Sequence, residues 1–498
     1  MEEILTALDL RGVRDLPGEM GAFSVESLFV RYDFSFDELV GAFRALPDAQ
    51  ELPEPLKTMV HETTHLFHTI TTPFGFLIYA LRRLQASVVI DAINSLRFAH
   101  KMKVRYPLVD FIFQMPPKVQ QDVGPYLKVW YECELFILLA LDGPEAWGRQ
   151  AVENPLVRGL GPSELFSRIQ RYLAIFYREQ IRKLRAAGGG GGEANAPLPF
   201  ADYEPDEPGL GGSGKDDRNV IAIQMMVGEA NMIAITESAA SVAEFWRNTR
   251  LNREQFFQQV QSRWQQQGLA LASGFLRGAI NARRAEEYVL SYLALCDVAL
   301  FGPVLPHHRH FRKGANILYQ VLPFFRIRDL LGAAHEIRAM ESLGDYVRYT
   351  SELCRALGWV APAEITQFTA KEHVALETDN LELAYLISSH YRKSKPWIFQ
   401  DYSFLLAGDN KQFWMDINFP VIQYGDRTVY HSNKALLVPL TRFYLVRAAL
   451  RAILLRDNVS LKLPYRPKNA EEVSFLRETL IQDLESAIGL RINDLSLN

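Results

Sequence analysis

Three of the chain's eleven histidines, His61, His65 and His68, crowd into "LKTMVHETTHLFHTITTP", residues Leu56 to Pro73, with Glu62 directly after the first. No other stretch restricts the fold as tightly. An α-helix advances about 100° per residue, so with His61 taken as zero, His65 falls near about 40° and His68 near about −20°. Leu56, Met59, Val60, Thr63, Phe67 and Ile70 gather on the opposite side, roughly between 160° and 260°. The stretch reads as an amphipathic helix whose polar stripe is histidine. Pro55 suits its first turn and Pro73 limits its continuation. Two imidazoles one turn apart can aim nitrogens at one cation, and neutral imidazole is a good ligand for zinc. Glu62 lies about 100° round, beside such a cation rather than on it, where a proton acceptor for an activated water belongs. The competing reading of the same residues is a surface helix with a solvated histidine stripe.

His61-Glu62-Thr63-Thr64-His65 is an HExxH sequence and resembles the zincin superfamily of zinc metallopeptidases. The resemblance implies a Zn²⁺ cofactor held by His61 and His65, with Glu62 as general base. It also implies a small sheet ahead of the helix. A metzincin has Gly and His where this chain has His68 and Thr71, which excludes that branch. His68 shares the face of His61 and His65 but lies almost two turns, about 10 Å, from His61 along the axis. It suits the lining of a cleft better than chelation of the same ion.

A third ligand has to come from elsewhere. Residues Asn219 to Trp246, "NVIAIQMMVGEANMIAITESAASVAEFW", form an apolar helical stretch whose charged residues are Glu229, Glu237 and Glu244, without a Lys or Arg. A carboxylate buried without a partner costs several kcal/mol or takes up a proton, so acids in such a setting call for a cation or donors. "TESAASVAE" looks like the second helix of the gluzincins, in which a glutamate followed by small residues supplies the third zinc ligand, and the resemblance places that ligand at Glu237. The family has Gly after this glutamate or an acid four residues on, where this chain has Ser238 and Ser241. Glu132 and Glu134 in "YECELFILL" are rivals, either of which could instead pair with an arginine such as Arg82 or Arg83; Glu229 and Glu244 are the others. For a donor to a developing oxyanion, the candidates are His307, His308, His310, Tyr319, His390 and Tyr391, among which the sequence does not choose. The cluster His307 to His310 reads better as a basic surface loop than as a second metal site.

The rest of the chain sets bounds. With 498 residues, 48% hydrophobic and 22% charged, it can bury a large core. A net charge of −4 leaves no electrostatic footprint for nucleic acid. Cys133, Cys296 and Cys354 are odd in number and far apart, which suits a reducing compartment rather than a disulfide framework. The first residues are acidic and lack the layout of a signal peptide, so a cytoplasmic location is expected. The apolar runs "LFILLALDG" and "EYVLSYLALCDVALFGPVLP" are too short, or are interrupted by Asp297 and Pro303, and read as buried helices rather than membrane spans.

Residues Phe23 to Phe36 read as a strand or hairpin, and helical periodicity runs from Pro73 to about Leu184. The glycine- and proline-rich residues 187–216 read as a flexible insertion, and "WMDINFPVIQYGDRTVYHSN" as a hairpin turning at Gly425-Asp426. The expected fold class is mainly α with a small β component. A zincin-like catalytic region spans 1–300, and a mostly helical C-terminal domain spans 301–498, with its hairpin near 417–430 and a possible protein partner of its own. The expected function is zinc-dependent hydrolysis of a peptide or protein. A metal-stabilised interaction module without catalysis and a zinc hydrolase of a small amide stand as the alternatives.

Overall fold

The computed structural model describes residues 21–24, 28–46, 52–142, 160–161, 164–173, 175–176, 232–244, 253–266, 280–302, 321–366, 421–426, 429–430, 437–465, 467–492 and 495–497. The insertion expected at 187–216 lies outside them. In chain order the elements are β1 (Gly21–Ser24), β2 (Phe29–Tyr32), α1 (Phe36–Ala45), α2 (Glu54–Thr71), α3 (Pro73–Asn94), α4 (Leu108–Phe113), α5 (Pro117–Asp142), α6 (Met232–Glu244) and α7 (Arg253–Gln266). They continue with α8 (Ala285–Leu300), α9 (Pro323–Ala334), α10 (Tyr346–Leu357), β3 (Val421–Gln423), β4 (Val429–Tyr430), α11 (Leu437–Leu455), β5 (Ser460–Leu461), α12 (Ala470–Ile488) and β6 (Ser496–Leu497). The protein is mainly helical with a small sheet component. Among the described residues no helix is long and apolar enough to cross a membrane.

Helix α2 stands at the centre. Pro53 precedes it and Pro55 sits in its first turn, where a missing N–H costs nothing. From Val60 to Thr71 every residue is buried, so the histidine stripe meets protein on a face where the periodicity alone allowed solvent. The helix tolerates so many buried threonines because their hydroxyls bond back to the carbonyl one turn earlier: Thr63 to Met59 at 2.6 Å, Thr64 to Val60 at 2.7 Å, Thr69 to His65 at 2.9 Å. The chain then turns at Thr72, whose extended backbone ends α2 and whose hydroxyl caps α3 by accepting from the Gly75 N–H at 3.1 Å.

Gly75 makes that turn tight, because a Cβ there would lie 2.1 Å from the Thr69 carbonyl oxygen. That neighbour is backbone and cannot rotate away. Gly75→Ala is therefore expected to reduce stability by about 2–3 kcal/mol, at the upper end of ordinary point mutations, with a shift in urea midpoint as the measure. A midpoint unchanged within error would show that α2 and α3 can splay freely.

A four-stranded sheet in the order β1-β2-β3-β4 covers one flank of α2. Strands β1 and β2 pair antiparallel with Gly21 opposite Tyr32, β2 and β3 pair in parallel, and β3 and β4 form a hairpin that turns at Gly425-Asp426. The parallel pairing of Phe29 to Arg31 with Val421 to Gln423 crosses the division expected at 300/301. Helix α11 of the same C-terminal part packs on α3 and α4. Among the described residues one apolar core runs through elements of both parts. The run expected as a buried helix around Cys296 is α8, buried throughout from Glu287 to Leu300, with Asp297 accepting from the Tyr346 hydroxyl. Helix α6 lies between α2 and α8, and Ser238 of α6 meets the Tyr292 hydroxyl at 2.7 Å.

Candidate metal centre

Helices α2 and α6 bring His61, His65 and Glu237 together, with one ligand atom from each within 4.8 Å of the others. The Glu237 carboxylate spans the two imidazoles: one oxygen lies 3.2 Å from His61 Nε2 and the other 3.4 Å from His65 Nε2. The rings are edge-to-face, with centroids 4.8 Å apart. Both histidines and Glu62 are buried, while the Glu237 side chain keeps 32% of its surface exposed. Two imidazole nitrogens and a carboxylate oxygen this close together form a donor set that could hold a metal ion.

The electrostatics follow from the crowding of acids. Burial opposes protonation of His61, yet its hydrogen bonds to Glu237 and Glu244 and the charges of Glu244 and Glu62 outweigh burial and hold its pKa well above the usual value. Burial alone would raise Glu237, but the His65 charge and the hydrogen bonds from both imidazoles hold it well below the carboxylate range. Glu62 is raised, first by burial and then by Glu237 and Glu244, against the two histidines.

The acids named as rivals part company. Glu134 is tied to Arg82, to Gln85 Nε2 at 2.9 Å and to Arg451 at 3.4 Å. Glu132 takes Arg168 at 2.5 Å and the Tyr172 hydroxyl. Both are structural ion pairs in the apolar interior rather than members of the His61 cluster. Glu244 does reach the cluster, but on the far side of the ring, 2.5 Å from His61 Nδ1. Glu229 lies outside the described residues, as do His307, His308, His310, Tyr319, His390 and Tyr391. His68 is buried in α2 and stands outside the group of three.

Glu134 carries a consequence for acid stability. Burial would raise its pKa, but Arg82, Arg451 and the Gln85 amide bring it down to about 2. A carboxyl lowered on folding stabilises the fold above its unfolded pKa, and loses that contribution as pH falls from about 4 towards about 2. Glu134→Gln should therefore be less stable than the parent at neutral pH and lose less on acidification. Denaturant melts between about pH 6 and pH 2 are expected to show a difference in slope worth on the order of 3 kcal/mol. Parallel curves would mean that the pair contributes nothing through charge.

Strand β1 adds residues the motif does not mention. Phe23 stacks on His65, with ring centroids 6.4 Å apart and planes at 16°. A Cβ on Gly21 would lie 2.6 Å from Thr58 Cγ2 and 3.2 Å from Glu62 Cγ, so only glycine lets the strand lie this close to Glu62. Tyr32, opposite Gly21, is fully buried, and its phenol is pushed well up by burial first and then by the charges of Tyr424 and Glu62. The sequence held one signal of this, a glycine facing an aromatic in a short alternating stretch. Compared with known proteins, the chain matches no family model, no curated protein and no solved structure.

Proposed function

We propose that this chain is a zinc-dependent, gluzincin-like metallopeptidase that hydrolyses peptide bonds in a peptide or protein substrate. The observation that carries the reading is the Glu237 carboxylate, delivered by a helix far along the chain, with one oxygen facing each Nε2 of the HExxH pair. His61, His65 and Glu237 would hold the ion. Zinc bound there supplies Lewis acidity towards a carbonyl and lowers the pKa of water. Glu62 sits on the same helix, outside the ligand group, with a pKa raised by burial, which suits it to accept a proton from water and pass it to the leaving amine. Phe23 stacked on His65 and β1 lying close to Glu62 line one flank of the centre.

One zinc per chain is expected in protein purified without added metal, measured by elemental analysis. A content near zero that zinc addition does not restore would overturn the reading at its root. Cleavage of an unstructured protein by the zinc-loaded chain, and its loss on chelation, then separates the peptidase from the two alternatives. Bound zinc without turnover on proteins or small amides is the result expected of a metal-stabilised interaction module. Turnover confined to small amides identifies the other hydrolase.

A further inference from the structure

Helix α6 presents two acids to one imidazole. Glu237 and Glu244 are seven positions apart, so they share a helical face about two turns, or about 10 Å, apart along the axis. His61 lies between them, with Nε2 3.2 Å from Glu237 and Nδ1 2.5 Å from Glu244. Ala240 and Ser241 fill the intervening turn on that face, both fully buried, and are small enough for α2 to approach. The Glu244 side chain has no exposed surface, while that of Glu237 keeps 32%. One acid therefore faces the open side of the centre and the other is locked inside.

An imidazole that serves a metal through one nitrogen carries its proton on the other, and the partner of that proton fixes both tautomer and ring orientation. We infer that Glu244 is a positioning residue: it accepts the Nδ1–H of His61, pins the ring, and leaves Nε2 as the nitrogen presented to a cation beside His65 and Glu237. The inference rests on the zinc reading for its consequence in affinity, but the contact itself is a property of the protein without metal. It also removes Glu244 from the set of third ligands by giving it a different atom to hold.

Glu244→Gln keeps the side-chain size and an oxygen that can accept from Nδ1, whereas Glu244→Ala removes the acceptor. Zinc affinity, measured on the full chain by competition with a chromophoric chelator, should fall about 10- to 100-fold for Glu244→Ala. For Glu244→Gln it should fall only a few-fold. If Glu244 served packing alone, affinity would instead track the thermal stability of each metal-free variant, and an alanine variant binding zinc as tightly as the parent would overturn the assignment. Should alanine prevent folding, Glu244→Gln together with Glu244→Asp, which draws the carboxylate back, gives the same ordering. The second readout needs no metal: in ¹⁵N-histidine-labelled metal-free protein, a slowly exchanging proton on His61 Nδ1 is expected in the parent and in Glu244→Gln and absent in Glu244→Ala. Its persistence in Glu244→Ala would sink the inference. Its presence in a parent that binds no zinc would leave the positioning contact standing while the zinc reading fell.

Discussion

Glu62→Gln is expected to hold one zinc per chain, melt at or above the parent's temperature, and hydrolyse an unstructured protein about 10² to 10⁴ times more slowly, a barrier increase of roughly 3–5 kcal/mol. The change preserves volume, so the close contact between Gly21 and the Glu62 methylene survives it. It leaves His61, His65 and Glu237 untouched. What it removes is the capacity to accept a proton. Burial already raises the Glu62 pKa, so a neutral amide there also relieves a cost of folding, which is why stability should not drop. Zinc content, thermal midpoint and cleavage rate on one preparation make the test. Full activity in Glu62→Gln would exclude it as the general base, and lost zinc would mean that Glu62 is itself a ligand.

Particular residues show where the sequence was readable. Helical periodicity and the turn residues Gly425-Asp426 located the elements, because period and turn chemistry are local properties of a chain. The partner of the hairpin was not local. The parallel pairing of Val421–Gln423 with β2 is made by backbone groups that carry no sequence address, so a boundary at 300/301 looked natural where the sheet in fact joins both parts. Within the candidate centre, the spacing of His61 and His65 and the lack of a Lys or Arg beside Glu237 pointed to residues that the fold brings together. The spacing could not rank the other acids, because their fates depend on cations from distant helices. Arg82 takes Glu134, while its neighbour Arg83 lies over the Phe176 ring instead. Nor could it show that the polar stripe of α2 faces protein, since a buried histidine face and a solvated one have the same period.

Chelation should separate a ligand from a structural acid. A metal that binds only the folded chain stabilises it by about 4 kcal/mol when free zinc stands about 1,000-fold above its dissociation constant. The parent is therefore expected to lose about that much on addition of a strong chelator. Glu237→Ala takes one donor of the three away, so at the same zinc concentration its denaturation midpoint should barely respond to chelator, and part of the response should return as zinc is raised. His65→Ala is expected to behave alike. Glu134→Ala makes the contrast: it takes the carboxylate out of a buried ion pair and leaves the Arg82 charge with only neutral acceptors such as the Gln85 amide oxygen, which costs about 3–5 kcal/mol. That loss should be equal with and without zinc, because Glu134 touches no member of the centre that the ion would use. The measurement is urea unfolding of the parent and three variants, each with zinc and with chelator. If Glu237→Ala kept the parent's full zinc-dependent gain, the carboxylate between the two imidazoles would not be a ligand. A zinc-dependent loss in Glu134→Ala would mean that the ion sits nearer α5 than the paired histidines place it.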